Sequence, residues 1–393
     1  MSFHEISLNR RTFSLGATVG LAGTTVIGSR AFAQEATPAT EEQGGVPPLP
    51  DGAVVVAQGL WNPGDIAFGA DGTLYVAEQG VSVTPEGDAA PATPAATPVS
   101  DVPQAGLQIL VWPQITQVAP DGTVSVLTSE IGGVGIGVYD STVYVSIGGS
   151  SVGGGLTPLP EENTVWAVDA TTGAATQIAA LGTYEVENNP DGTDVNPNLY
   201  GLAVDANGLV YVADAGGNTI YTIDPATGEF SLFAVVPNLT DLTGATPTAE
   251  EEAVQPGPRQ PVPTAIVIDE GGYINAVLLG EAWSGPSIIA FAPDGTYTTG
   301  ISGLSMIVNA ALGPDGLLYV SQLTSDIATM APGSIQRITA DGTVETVIDG
   351  LLFPHGIAFD AEGNLFVTTN SIISGPDAPL GLLLRFDGIA TPA

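Results

Sequence analysis

Ile66-Ala67-Phe68-Gly69-Ala70-Asp71-Gly72-Thr73-Leu74-Tyr75-Val76 reads as an apolar strand, a small-residue turn and a second apolar strand, and the chain repeats this design. Clear copies are Leu202-Ala203-Val204 with Asn207-Gly208-Leu209-Val210-Tyr211-Val212, Ala310-Ala311-Leu312 with Asp315-Gly316-Leu317-Leu318-Tyr319-Val320, and Ile357-Ala358-Phe359 with Glu362-Gly363-Asn364-Leu365-Phe366-Val367. Two looser copies run from Gly135 to Val145, without the turn glycine, and from Ala265 to Ala276, where Glu270-Gly271-Gly272 makes the turn. Glycine supplies the positive φ that a tight hairpin needs, and a neighbouring Asp or Asn tolerates the same region. Recurrence of one supersecondary unit is the signature of a repeat architecture.

Each unit continues into two further strands. Thr219-Ile220-Tyr221-Thr222-Ile223-Asp224 leads through Thr227-Gly228 to Phe230–Val235, and Ile335-Gln336-Arg337-Ile338 leads through Asp341-Gly342 to Val344–Ile348. Four antiparallel strands per unit make a blade, and six units predict an all-β, six-bladed β-propeller over 51–388. The last unit ends near Asp387 with three strands, whereas Ala53 to Ala57 forms a lone strand with no blade before it. The N-terminal strand is therefore predicted to complete the last blade and close the ring, which hides the edges that the competing architecture, an open solenoid, leaves bare.

Three insertions break the period. Residues 81–106, rich in Pro, Ala and Thr, fall between two strands of the first blade; 183–198 and 238–261 fall between blades, the latter carrying Glu250-Glu251-Glu252. The first reads as a disordered loop and the last as a solvated acidic loop.

The charge balance excludes some partners. Six Lys plus Arg stand against 42 Asp plus Glu, for a net charge of −36. Arg10, Arg11 and Arg30 lie at the N-terminus, so that only Arg259, Arg337 and Arg385 follow. Nucleic acid and anionic membranes are poor partners for such a chain, because neutralising phosphate needs Lys and Arg. High acidity favours solubility, and a monomer is expected.

Asn9-Arg10-Arg11-Thr12-Phe13, an apolar stretch from Leu15 to Ile27 and Ala31-Phe32-Ala33 fit an export signal of twin-arginine type over 1–33, with a Sec-type signal as the alternative. The apolar stretch is shorter than the roughly 20 residues that a membrane-spanning helix requires. Residues 34–50, rich in Ala, Thr, Pro and Glu, read as a flexible linker, and 389–393 as a tail. The destination is extracellular or within the cell envelope. With Cys at zero no disulfide supports the fold there.

Gly59-Leu60-Trp61-Asn62-Pro63-Gly64-Asp65-Ile66-Ala67-Phe68, and above all Tyr184-Glu185-Val186-Glu187-Asn188-Asn189-Pro190-Asp191-Gly192 running on through Asn196-Pro197-Asn198-Leu199-Tyr200-Gly201-Leu202 to Val212-Ala213-Asp214-Ala215-Gly216-Gly217-Asn218, carry a resemblance. On these segments the chain resembles the ScyD/ScyE family of NHL-repeat-like propellers, over essentially 51–388. Members often carry Cys in the first-blade insertion, where this chain has Pro, Ala and Thr. The resemblance implies the propeller and supplies no reaction.

In a propeller, residues at the ends of the inner strands converge on the channel. One column, at the ends of second strands, reads Glu78, Asp214, Gln322 and Thr369-Asn370, with Glu281 as a further member. Glu78, Asp214, Glu281 and Asn370 are the oxygen-rich set that Ca²⁺ prefers. This is similar to gluconolactonase-type propellers, where a channel metal polarises a lactone. The bland alternative makes them turn residues that bond neighbouring backbone.

His355, the only histidine beyond the export signal, stands just before an inner strand and is the one candidate general base; a packed channel residue is the competing role. Asp65, Tyr200, Asn309, Gln322 and His355 form the candidate ligand-binding set at the channel. Asn188, Asn189, Asp191 and Asp194 offer a second cation candidate or, alternatively, a turn. Trp61, Trp112, Trp166, Trp283, Tyr139 and Tyr200 are either an aromatic platform or packing between blades. Two functions stay open: a scaffold binding a small molecule, glycan or protein, and a Ca²⁺-dependent lactonase- or esterase-like hydrolase.

Overall fold

The computed structural model describes residues 48–83, 109–111, 113–149, 151–153, 158–243, 259–279, 287–326 and 329–391. Within them the chain forms six four-stranded antiparallel sheets in a ring, a six-bladed β-propeller. The first blade is Pro63–Phe68, Leu74–Glu78, Gln114–Val118 and Val124–Thr128, and the second Gly135–Tyr139, Thr142–Ile147, Thr164–Asp169 and Ala175–Ala180. The third is Leu199–Val204, Val210–Asp214, Thr219–Ile223 and Phe230–Val235, and the fourth Pro263–Ile268, Ile274–Leu278, Ile288–Phe291 and Tyr297–Thr299. The fifth is Ile307–Leu312, Leu318–Gln322, Gly333–Ile338 and Val344–Leu351. The sixth takes Ile357–Phe359, Leu365–Thr369 and Gly381–Phe386 and finishes with Val54–Leu60 from the other end of the chain. That last pairing, from Val54 opposite Arg385 to Leu60 opposite Gly381, is the predicted closure. The innermost strand of every blade touches those of both neighbours, so no solenoid end is left open.

The predicted turns form as their chemistry requires. Gly72, Gly208, Gly316 and Gly363 all have φ between 75° and 85°. In the second blade, which lacks the glycine, Asp140 takes the left-handed conformation at φ 50°.

The core consists of layers between blades. Tyr75 and Ile115 of the first blade pack with Ile136 and Val145 of the second, and Val165 of the second packs with Val212 and Tyr221 of the third. Ile220 meets Ile266 and Ile289, Val277 meets Val320, and Tyr319 meets Leu365 and Leu384. Leu383 with Ala57 and Leu60 completes the circle against Ile66 and Val76. Burying each large aliphatic side chain stabilises the ring by roughly 1.5–3 kcal/mol.

Around the channel the blades are joined by hydroxyl groups donating to main-chain carbonyls of the next inner strand. Ser146 donates to Tyr200, Thr264 to Ile307 at 3.1 Å, Ser321 to His355 at 2.5 Å and Thr368 to Gly64 at 2.7 Å. This close approach needs small residues. A Cβ on Gly356 would stand 2.5 Å from the Gly64 carbonyl oxygen and 2.6 Å from the Asp65 Cα.

The insertions fall where expected and carry unforeseen structure. A short hairpin, Val81–Val83 with Ile109–Val111, begins and ends the first; 84–108 lie outside the described residues. The second, whose Asn-Pro-Asp-Gly is expected to form a turn or a cation site, opens with an α-helix, Leu181–Asn188, ended by Asn189 in the left-handed conformation. The third opens with the short helix Leu239–Thr243. Among the described residues no helix is long and apolar enough to cross a membrane. The export signal and nearly all of the linker lie outside the described residues.

Candidate functional site

Four members of the channel set are drawn together. Tyr200 enters from the third blade and His355 from the directly opposite sixth, and the Tyr200 hydroxyl lies 2.7 Å from His355 Nε2. Both residues are buried. Their main chains are the ones held by Ser146 and Ser321, so that the hydroxyl contacts between blades also fix the two rings. Asp65 of the first blade is hydrogen-bonded to the Asn309 side chain of the fifth, and its charge acts on Tyr200. Asp65 is only half-buried, whereas Asn309 is buried.

Burial sets the electrostatics. Desolvation pushes the Asp65 carboxyl up to about 7, against the opposing effect of hydrogen bonds from the Ile66 amide and Asn309. Desolvation alone pulls His355 down to about 4, so its imidazole is neutral at pH 7. The Tyr200 hydroxyl is raised further above its ordinary value, by burial and then by Asp65. His355 Nδ1 is buried without a hydrogen-bond partner among the described residues. The channel thus holds a neutral Tyr–His pair, an amide, and one carboxyl poised near neutrality and reachable from solvent.

Gln322 stays apart from this cluster. Its amide nitrogen donates to the Ser305 carbonyl at 3.1 Å, and its oxygen accepts from Ser334 and Gln336 at 3.1 and 3.2 Å. The rest of its column behaves alike. Glu78 accepts from the Trp61 amide at 2.5 Å, Thr116 at 2.5 Å and Gln114 at 2.8 Å, and Asn370, at φ 58°, donates to the Leu380 carbonyl at 2.8 Å. The second strand lies one step out from the channel, and residues at its end bond into their own blade. Glu281 lies outside the described residues. Among the described residues no three His, Asp or Glu side chains gather as a metal cluster.

Asp214 has a different companion. One of its oxygens accepts from the amides of Asn198, Gly216 and Gly217 at 2.8, 3.1 and 2.8 Å. The helix Leu181–Asn188 brings Glu185 beside it, and both carboxyls are fully buried. Glu185 was absent from every candidate set drawn from the sequence. Its one signal is the neighbour Tyr184, which packs edge-on against Tyr221 and Phe230 at 5.9 and 5.6 Å and turns this face of the helix inward. Asn188 is exposed and bonds the Tyr184 carbonyl, and Asp191 caps its own turn by accepting from the Thr193 amide at 2.9 Å.

The aromatic residues are dispersed. Trp166 packs between the first two blades, its ring nitrogen donating to Thr164 at 2.8 Å, and Tyr139 packs between the second and third. Trp61 is half-buried beside Glu78, and Trp283 lies outside the described residues, as does the Trp112 side chain.

No protein-family model and no curated protein matches the sequence. Solved structures do share its architecture. A protein of unknown function from Bacteroides thetaiotaomicron is 13% identical with a TM-score of 0.52, over 84% of this chain and 70% of that one. A gluconolactonase from Xanthomonas campestris is 12% identical with a TM-score of 0.51, over 84% of this chain and 88% of that one. At such identities the likeness establishes the propeller fold and nothing finer.

Proposed function

We propose that the protein is an exported ligand-binding propeller of the ScyD/ScyE type, whose channel recognises a small neutral molecule rich in hydroxyl groups, a sugar or sugar derivative. The observation that carries this reading is the convergence of Asp65, Asn309, Tyr200 and His355 from four blades on one polar site, buried except for half-exposed Asp65. Its side chains can both donate and accept hydrogen bonds, as the hydroxyl groups of a polyol do. None of the four is cationic, and a net charge of −36 repels anions, which disfavours phosphorylated or carboxylated ligands. A rigid ring of blades suits binding, because the polar groups are held before the ligand arrives.

The test is a thermal-shift screen of neutral mono- and disaccharides together with gluconolactone, on the full chain and on Asp65→Asn and His355→Gln. A sugar that raises Tm in the parent and in neither variant supports the reading. Absence of any such sugar, or hits untouched by both substitutions, overturns it. Turnover of gluconolactone lost in Asp65→Asn replaces binding with hydrolysis.

A further inference from the structure

We propose that Glu185 and Asp214 bind one divalent cation of the hard, oxygen-seeking class, Ca²⁺, which fastens the inserted helix Leu181–Asn188 to the third blade. This site lies between the second and third blades and is independent of the channel cluster.

The geometry has three parts. First, Glu185 and Asp214 are both fully buried, and three of their four carboxyl oxygens, Glu185 Oε1 and Oε2 and Asp214 Oδ2, have no hydrogen-bond partner among the described residues. Buried charge without compensation is costly, so such oxygens call for a ligand. Second, two of those oxygens, Asp214 Oδ2 and Glu185 Oε2, approach the same glycine. The point where a Cβ on Gly217 would stand is 3.0 Å from Asp214 Oδ2 and 3.0 Å from Glu185 Oε2, which puts the two oxygens no more than 6.0 Å apart. A Ca²⁺ ion, with ligand distances of about 2.3–2.6 Å, bridges oxygens up to about 5 Å apart, so its binding needs the two oxygens to close by at most about 1 Å from that upper bound. A side chain at 217 would crowd both carboxyls, so glycine lets them approach each other. Third, the free carboxylate edge of Asp214 is presented rigidly, because its other oxygen is pinned by three main-chain amides.

The surrounding charge has the sign that attracts a cation. Burial and, after it, the charges of Asp214, Asp191 and Asp194 all oppose the ionisation of Glu185. A divalent ion supplies the missing countercharge. With no third carboxylate at ligating distance among the described residues, neutral oxygens must complete the shell. The same insertion holds two buried amide oxygens without partners among the described residues, on Asn189 and Asn196. An all-oxygen set without His or Cys selects Ca²⁺ over transition metals.

The rival is a proton shared between the two carboxyls, and a second rival is unspecific cation binding to an acidic surface. The experiment melts the full chain in Ca²⁺, in Mg²⁺ and in NaCl of matched ionic strength, each against EDTA. It repeats the series on Glu185→Gln, Asp214→Asn and the exposed control Glu270→Gln, and follows Tb³⁺ luminescence sensitised by Tyr221 and Tyr184. Expected is a Ca²⁺-specific rise in Tm of roughly 4–8 °C at a hundredfold excess over Kd. One Tb³⁺ per chain should be displaced by Ca²⁺. Both effects should persist in Glu270→Gln and vanish in Glu185→Gln and Asp214→Asn. A Ca²⁺ response of the parent no larger than that of matched salt overturns the proposal even if a variant fails to fold. So does an undiminished response in Glu185→Gln.

Discussion

Tyr200 and His355 belong to opposite blades, yet hydroxyl and Nε2 lie 2.7 Å apart with their rings 5.5 Å centre to centre. The bond spans the ring, and its two ends are set by serines of the preceding blades. Tyr200→Phe leaves the buried imidazole with neither nitrogen partnered among the described residues, since Nδ1 already lacks a partner there. We expect a loss of about 1–3 kcal/mol in urea unfolding. An unchanged midpoint would mean that the pair contributes nothing to stability.

Asp65 gives the ring a pH dependence of defined sign. Its folded pKa, about 7, is above the ordinary 3.8, so its contribution is fully present below pH 3.8 and is lost as pH rises through 7. Asp65→Asn therefore melts with a shallower decline between pH 5 and 8 than the parent. His355 works in the opposite direction. Its folded pKa, about 4, lies below the ordinary 6.5, so its contribution is present above 6.5 and disappears as pH falls through 4. Parallel Tm–pH curves for parent and Asp65→Asn would contradict the assignment.

Gly356 tests the tightness of the channel wall. An alanine there drives its Cβ into the Gly64 carbonyl and the Asp65 backbone, at a cost of about 1–3 kcal/mol, whereas nothing lies within 4 Å of a Cβ on Gly375. Gly375→Ala should stay within about 0.5 kcal/mol of the parent. Chemical denaturation of the two variants checks the contrast, and equal midpoints would refute it.

Closure by the N-terminal strand predicts the effect of its loss. A chain beginning at Asn62 loses buried Ala57 and Leu60 and exposes the Gly381–Phe386 edge. It should melt lower and associate in size-exclusion chromatography; a monomeric, equally stable product would show that the strand is dispensable.

The parts of this molecule legible in the sequence are those fixed by local chemistry. Asp71-Gly72 and its copies announce their hairpins through positive φ, and the orphan strand near Ala53 had to complete the three-stranded sixth blade. Tyr200, His355, Asp65 and Asn309 stood out because repeats place equivalent positions around one axis. Glu78 and Gln322 occupy equivalent positions too, but whether such a side chain faces the channel or bonds within its blade depends on neighbours such as Thr116 and Ser334. Glu185 was hidden for a different reason. Its partner Asp214 is far along the chain, and only the packing of Tyr184 on Tyr221 brings the helix over.

The most direct test of the channel site is histidine-selective ¹⁵N NMR of the full chain, with the His355 resonance assigned by its loss in His355→Gln. The account predicts an imidazole that stays neutral down to about pH 4 and whose ring nitrogens shift when a neutral saccharide binds, a response lost in Asp65→Asn. An imidazole titrating near the ordinary 6.5, indifferent to every sugar, would contradict it.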